Sequence, residues 1–223
     1  MSDAIQRSDW RPRLTRQVVL RLAQEQSVVV VGGPGMGKTA LIRYARQEAP
    51  GLEAFDDLSA DGIIDCLSTG EAALMTAQVE HYSVLKRSRG RAMWVPLSNL
   101  VPHGIRTALP EQPTLWEETA GHPLCAAHLL SGAHEDGDLM DRYRDLLVTH
   151  PEHKAVFDAL ILLPENLSSA QRYTALLNTF GADLKGHLDW LVCAGAITRM
   201  IAGSQPGVTV VPYLSRRGFE SKL

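Results

Sequence analysis

Eight consecutive residues, Gly32-Gly33-Pro34-Gly35-Met36-Gly37-Lys38-Thr39, carry the pattern GxxxxGK[ST]. Each residue type in it has a chemical reason. Small residues let the main chain wrap closely around a polyphosphate, with the amides pointing inward and the next helix adding the positive end of its dipole. Lys38 is placed to reach the β- and γ-phosphates, and Thr39 offers a hydroxyl to Mg²⁺. The expected binding set is therefore Gly33, Pro34, Gly35, Met36, Gly37, Lys38, Thr39 and Ala40. The flanks agree: Val28 to Val31 suit a strand buried on both faces, and Leu41, Ile42 and Ala45 sit at helical spacing behind the loop.

A site of this kind needs an acid to hold the metal through water and a group to position the attacking water. Asp56 ends the apolar run 52–55, as a strand-tip acid should, and is the expected metal group together with Thr39. Asp57 is the expected water-orienting group. A turn before the next helix is the alternative for the pair, and Asp65, after Ile63-Ile64, is the rival metal acid. Ser98 and Asn99 close the run 92–97, so Asn99 is expected at a strand tip, touching the γ-phosphate or the attacking water, unless it only makes a strand-end turn.

Other clusters read more plainly. The basic run 86–91 suits a solvated helix end. Its sharper reading is an arginine offered to a neighbouring subunit, a role for which Arg106 competes. His122, Cys125 and His128 are spaced three and three but lack a fourth ligand, so packing is the better reading, as it is for His150 and His153.

The positioning elements follow from periodicity. Residues 13–26 read as an amphipathic helix, 27–31 as a strand, 38–48 as the helix behind the loop, and 71–87 as a helix. Residues 92–97 read as a second buried strand and 114–131 as one or two helices. After the polar stretch 131–138, helices are expected over 138–149, 151–163, 169–179 and 183–194. Ser168 and Gln171 form a capping box for the third of these. Two strand-like runs, 196–201 and 207–213, follow. Three helices and then a hairpin describe a winged helix-turn-helix.

The chain has 223 residues, 45% of them apolar, and a net charge of −3. That allows one large domain or two small ones and announces neither nucleic acid nor an acidic surface. Three scattered cysteines read as free thiols in a reducing compartment, and the polar start and the lack of a long apolar run point to a cytoplasmic protein with no membrane span. The terminal Ser221-Lys222-Leu223 matches a peroxisomal address, a short and weak signal. Residues 141–223 carry nine Lys/Arg against eight Asp/Glu, without the clear basic face of a duplex-binding module.

With the loop, the Asp pair, the segment GHPLCAAHLL and the trailing winged helix in place, the chain resembles the AAA+/STAND superfamily of P-loop ATPases, and is similar to the STAND branch and to origin-recognition-type ATPases. The resemblance implies an α/β fold: a P-loop NTPase core with parallel sheet over 1–109, a helical lid with a GxP-like motif over 110–137, and a winged-helix domain over 138–223. It implies ATP and Mg²⁺ as ligands, Pro123 near the adenine or ribose, and the segment around Trp10-Arg11-Pro12-Arg13, Arg11 included, as a clamp on the base. The core is shorter than usual, and no clear arginine follows the GxP motif.

The expected function is a slow, ATP-binding switch ATPase that cycles between ATP and ADP and works through a protein partner or self-association. A DNA-associated loader using the winged helix is the alternative. A small-molecule phosphotransferase is the third reading.

Overall fold

The computed structural model describes residues 10–81, 92–102, 105, 111–112, 114–131, 137–202, 205–212 and 214. Among them, β1 (Val28–Gly32), β2 (Ala54–Phe55), β3 (Leu74–Gln78) and β4 (Met93–Pro96) form one parallel sheet in the order β2-β3-β1-β4. Val28 pairs with Leu74 on one side and Met93 on the other, so the loop-bearing strand is central. Its four valines serve two cores. Val28 and Val30 face α1 (Pro12–Leu22) and α2 (Lys38–Glu48) through Val18, Leu41 and Ile42. Val29 and Val31 face the opposite side, where they join one apolar cluster with Met75, Ala77, Tyr143, Leu188 and Leu191. A strand covered on both faces has no polar alternation, which is why it reads as an unbroken apolar run.

Helix α3 (Ala60–Thr69) opens on Ser59, whose hydroxyl accepts from the Gly62 amide. It connects β2 to β3, as a parallel sheet requires. The region 71–87, expected to be a helix, is strand β3 followed by a 3₁₀ turn, Val79–His81; residues 82–91 lie outside the described set. Ala, Leu, Met and Gln favour helices on propensity alone. Here Leu74, Met75 and Ala77 are fully buried between two layers, and packing overrides propensity.

Helices α4 (Leu115–Thr119) and α5 (Pro123–Ser131) cover the loop end of the sheet. Then come α6 (Gly137–Val148), α7 (Pro151–Leu162), α8 (Ser169–Phe180) and α9 (Leu184–Ala194), and the antiparallel pair β5 (Ile197–Ala202) and β6 (Gln205–Val210). Both halves of the expected capping box at Ser168 and Gln171 are present. The apolar cluster around Val29 runs without a break into Leu139, Leu147, Leu191 and Val208, so the stretch after residue 137 shares its core with the sheet. No helix among the described residues is long and apolar enough to cross a membrane. The basic run 86–91, Arg106, Arg216, Arg217 and the last three residues lie outside the described set.

Candidate functional site

The loop leaves β1 and turns into α2 at Gly37, whose φ of +85° is open to glycine and strained for other residues. No side chain caps α2. The first bond of its ladder runs from the Leu41 amide to Gly37 O at 3.0 Å, so the amides of Lys38, Thr39 and Ala40 lie ahead of it. An uncapped helix start with three such amides is an anion-binding geometry.

The acids meet this turn at the tip of β2. Thr39 Oγ1 donates to Asp56 Oδ2 at 2.6 Å. Thr76, buried in mid-strand on β3, donates to Asp56 Oδ1 at 2.5 Å and accepts from the Asp57 amide at 2.7 Å. Asp57 has a φ of +57°, a conformation that costs a non-glycine residue energy and that surroundings must hold in place. Asp56 therefore stands beside the loop as expected. The rival, Asp65, sits on α3 and does not line the cleft.

Gln78 ends β3, the strand between the loop and the acid pair. Its Nε2 donates to Asp57 Oδ2 at 2.8 Å, and its Oε1 accepts from Lys38 Nζ at 3.1 Å. Lys38 Nζ also donates to Gly32 O at 2.7 Å and Gly33 O at 3.1 Å, and lies 4.0 Å from Asp57 Oδ1. Burial lowers the Lys38 pKa, an effect that the carboxylates of Asp57 and Asp56 oppose. The ammonium is thus held by carbonyls and an amide, partners that an incoming anion can replace. The hydroxyl of Thr39 and the carboxylate of Asp56 converge as hard oxygen donors, a set that fits Mg²⁺.

A cleft of about 390 Å³ runs along this constellation. Pro34, Gly35, Met36, Gly37, Lys38, Thr39, Ala40, Asp56, Asp57 and Pro123 all border it, together with Trp10, Tyr44 and Arg142. Gln78 and Arg142 went unnoticed in the sequence. Arg142, on α6, borders both the cleft and an adjoining groove of about 350 Å³ that also holds Glu80 and Asp145. It follows the GxP-like segment by some twenty positions, and no local pattern marks it.

Three expected residues stand elsewhere: Asn99, Arg11 and Gly33, whose amide is taken by Cys193 O. Asn99 does not border the cleft. It is buried, and its Nδ2 faces Thr198 Oγ1 at 2.9 Å, Gly195 O at 3.3 Å and Ile197 O at 3.4 Å, all beyond α9. It lies at a strand tip as expected, but on the outer strand β4, which faces the β5 hairpin. Arg11 does not border the main cleft either; its guanidinium donates to Ser98 O at 2.8 Å and Met36 O at 3.4 Å.

The other flank of the loop is sealed. The Gly33 amide donates to Cys193 O at 3.0 Å. A Cβ on Gly33 would fall 2.0 Å from Ala194 O, and one on Gly195 would fall 2.3 Å from Met36 Sδ. At Gly33 backbone meets backbone, and only glycine allows it; at Gly195 the close atoms are the Met36 and Tyr143 side chains, and a φ of +83° further favours glycine. Tyr143, on α6, shares its hydroxyl between Ala194 O at 2.7 Å and Pro34 O at 3.2 Å. His122 Nδ1 accepts from the Cys125 amide, so its proton sits on Nε2, which donates to the Tyr143 oxygen at 2.9 Å. Complete burial pushes the His122 pKa down to about 3, keeping it neutral. His122 is thus a packed network residue, as its spacing suggested. Burial likewise pushes the Cys193 thiol up to about 12.

An α/β fold with a parallel four-stranded sheet, a glycine-rich turn ahead of an uncapped helix and an acid pair at the tip of β2, one strand removed from β1, is compatible with a P-loop NTPase core. No family model matches the chain, and no curated protein does. Among solved structures, a signal transduction ATPase with numerous domains (STAND) carrying a tetratricopeptide repeat sensor, from Pyrococcus horikoshii, shows a likeness at 15% identity and a TM-score of 0.33. The likeness covers 91% of this chain and 42% of that one, so the chain spans less than half of its neighbour's length. A TM-score of that size leaves the reading to the geometry.

Proposed function

We propose that the chain is a nucleotide-dependent switch ATPase. ATP lies along the cleft, with its phosphates on the amides ahead of Leu41 and its terminal phosphate at Lys38 and Gln78. Mg²⁺ belongs between Thr39 and Asp56, where it would neutralise charge between the outer phosphates. Asp57 and Gln78 then orient the attacking water. The single observation that carries this reading is the bonded set Thr39–Asp56–Thr76 and Lys38–Gln78–Asp57 around an uncapped helix start.

The switch part of the proposal rests on the sealed flank. The turn Cys193–Gly195 lies directly on the loop that would hold the phosphates, so loading the loop and docking the C-terminal elements affect each other by linkage. We read those elements, α7 to β6, as a winged helix acting as a packing module. Arg199 is paired with Asp189, which removes one cation from any DNA-facing use of the hairpin. A protein partner or a second copy of the chain then receives the signal. Light-scattering mass measured with ATP, with ADP and without nucleotide tests the switch: a change with ATP is expected, and identical masses contradict it.

A further inference from the structure

Thr76 sits in the middle of β3 with no exposure, between Met75 and Ala77, which are equally buried. Valine has the same branched shape and suits such a strand. A hydroxyl there costs free energy unless it is bonded. Of the buried serine and threonine hydroxyls among the described residues, that of Thr76 is the one that donates to a carboxylate.

Its place follows from the register. Strand β2 pairs with β3 through Ala54–Leu74 and Phe55–Met75. Asp56 comes next, level with Thr76, and there the chain turns off at Asp57. Thr76 takes over from the ladder with three bonds. Its carbonyl accepts from the Leu58 amide at 2.8 Å, and its hydroxyl accepts from the Asp57 amide at 2.7 Å. The one hydroxyl proton goes to Asp56 Oδ1 at 2.5 Å. The two oxygens of the Asp56 carboxylate thereby have different partners. Oδ1 is held from the buried strand, and Oδ2 meets Thr39 Oγ1, on the loop side, at 2.6 Å.

Cations differ in what they ask of a carboxylate. Mg²⁺ keeps a tight octahedron and several of its waters, whereas the larger Ca²⁺ takes more oxygens and spans both oxygens of one carboxylate. We propose that Thr76 is a positioning residue that sets the cation preference of the site: by engaging Oδ1 it limits Asp56 to one oxygen toward the metal, and so favours Mg²⁺ over Ca²⁺. This rests on the nucleotide reading above and adds to it the residue that selects the metal.

Calorimetry on the full chain reads the preference as a ratio of two ATP affinities, one with Mg²⁺ and one with Ca²⁺, each metal in excess over ATP. Wild type should bind ATP at least about 5-fold more tightly with Mg²⁺. Thr76→Val keeps the shape and removes the hydroxyl; it should lower the ratio about 3–10-fold, on the scale of one hydrogen bond. Thr76→Ser keeps the hydroxyl and should hold the wild-type ratio within about 2-fold. In an Asp56→Ala background, adding Thr76→Val should change the ratio by less than about 2-fold, because Thr76 acts through that carboxylate. Should circular dichroism show Thr76→Val unfolded, Thr76→Ala is titrated in its place with the same expectations. The proposal is overturned if wild type binds ATP equally well with both metals, if removing the hydroxyl leaves the ratio unchanged, if Thr76→Ser loses as much as Thr76→Val, or if the effect persists without Asp56. Wild-type protein that binds ATP with neither metal overturns the nucleotide reading itself, and this proposal with it.

Discussion

Gln78 ends β3 and Asn99 lies just past the end of β4, the two strands that flank β1, and each is a primary amide. Their surroundings differ completely. Gln78 lies between Lys38 and Asp57, bordering the open cleft. Asn99 is buried against Gly195, Ile197 and Thr198, and through Thr198, which donates to Ala120 O at 2.7 Å, it reaches the segment ahead of α5. The same functional group thus borders the open cleft on one side of the loop, where we propose that it serves chemistry, and is packed into the docked C-terminal elements on the other. Which role an amide takes is decided by the strand order, because the acids arrive on the β3 side and the hairpin on the β4 side.

Four substitutions and one titration test that contrast. The largest effect on the chemical side belongs to Asp56→Ala, which should lower magnesium-dependent ATP turnover by about 100-fold while leaving ATP affinity within about 10-fold. A steady-state phosphate-release assay reads the first and calorimetry the second; normal turnover would remove Asp56 from the site. On the docking side, Asn99→Ala removes the amide that donates to Gly195 O, Ile197 O and Thr198 Oγ1 and should cost about 1–3 kcal/mol of stability. Urea unfolding measures it, and turnover at saturating ATP should change by less than about 2-fold. Gln78→Ala should show the reverse pattern, with turnover down about 10-fold and the unfolding midpoint nearly unchanged. If the two variants fail in the same way, the contrast is wrong.

Tyr143→Phe removes the hydroxyl shared by Ala194 and Pro34 and should cost about 1 kcal/mol. Hydrogen exchange should then quicken at residues 193–197 before it does in β1. Equal exchange in both segments would dissolve the link between hydroxyl and docking.

The titration concerns His122 and His153, whose burial lowers their pKa values from 6.5 to about 3 and about 4. The unfolded chain takes up these protons first, so their contribution is intact above pH 6.5 and is lost as the pH falls toward the lowered values. Each group can remove up to ~1.4 kcal/mol per pH unit across that window. The urea midpoint followed from pH 7 to pH 4 should fall accordingly, and a flat profile would mean that neither ring is as buried as described.

The sequence disclosed what is contiguous. The loop, Asp56 and the capping box are short patterns with local causes, and each stands where it was expected. Gln78 stayed hidden because β3 is written in helix-forming residues and only burial on both faces makes it a strand. With β3 unread, the run 92–97 is the second clear strand that the sequence offers and Asn99 reads as its site-facing amide; the structure places Gln78, and not Asn99, beside Lys38 and Asp57. Arg142 reaches the cleft from a distant segment, and long-range approach leaves no periodic trace. Of the segment 10–13, the residue that borders the main cleft is Trp10 and not Arg11.

The central claim is that the loop from Pro34 to Ala40 grips a triphosphate with the help of Lys38. Calorimetry of magnesium-ATP against wild type and Lys38→Ala tests it most directly. Wild type should give a saturable isotherm near one ATP per chain, and Lys38→Ala should lose about 100-fold or more in affinity while keeping its fold by circular dichroism. A flat trace from folded wild-type protein, or equal affinity in the two proteins, would contradict the account.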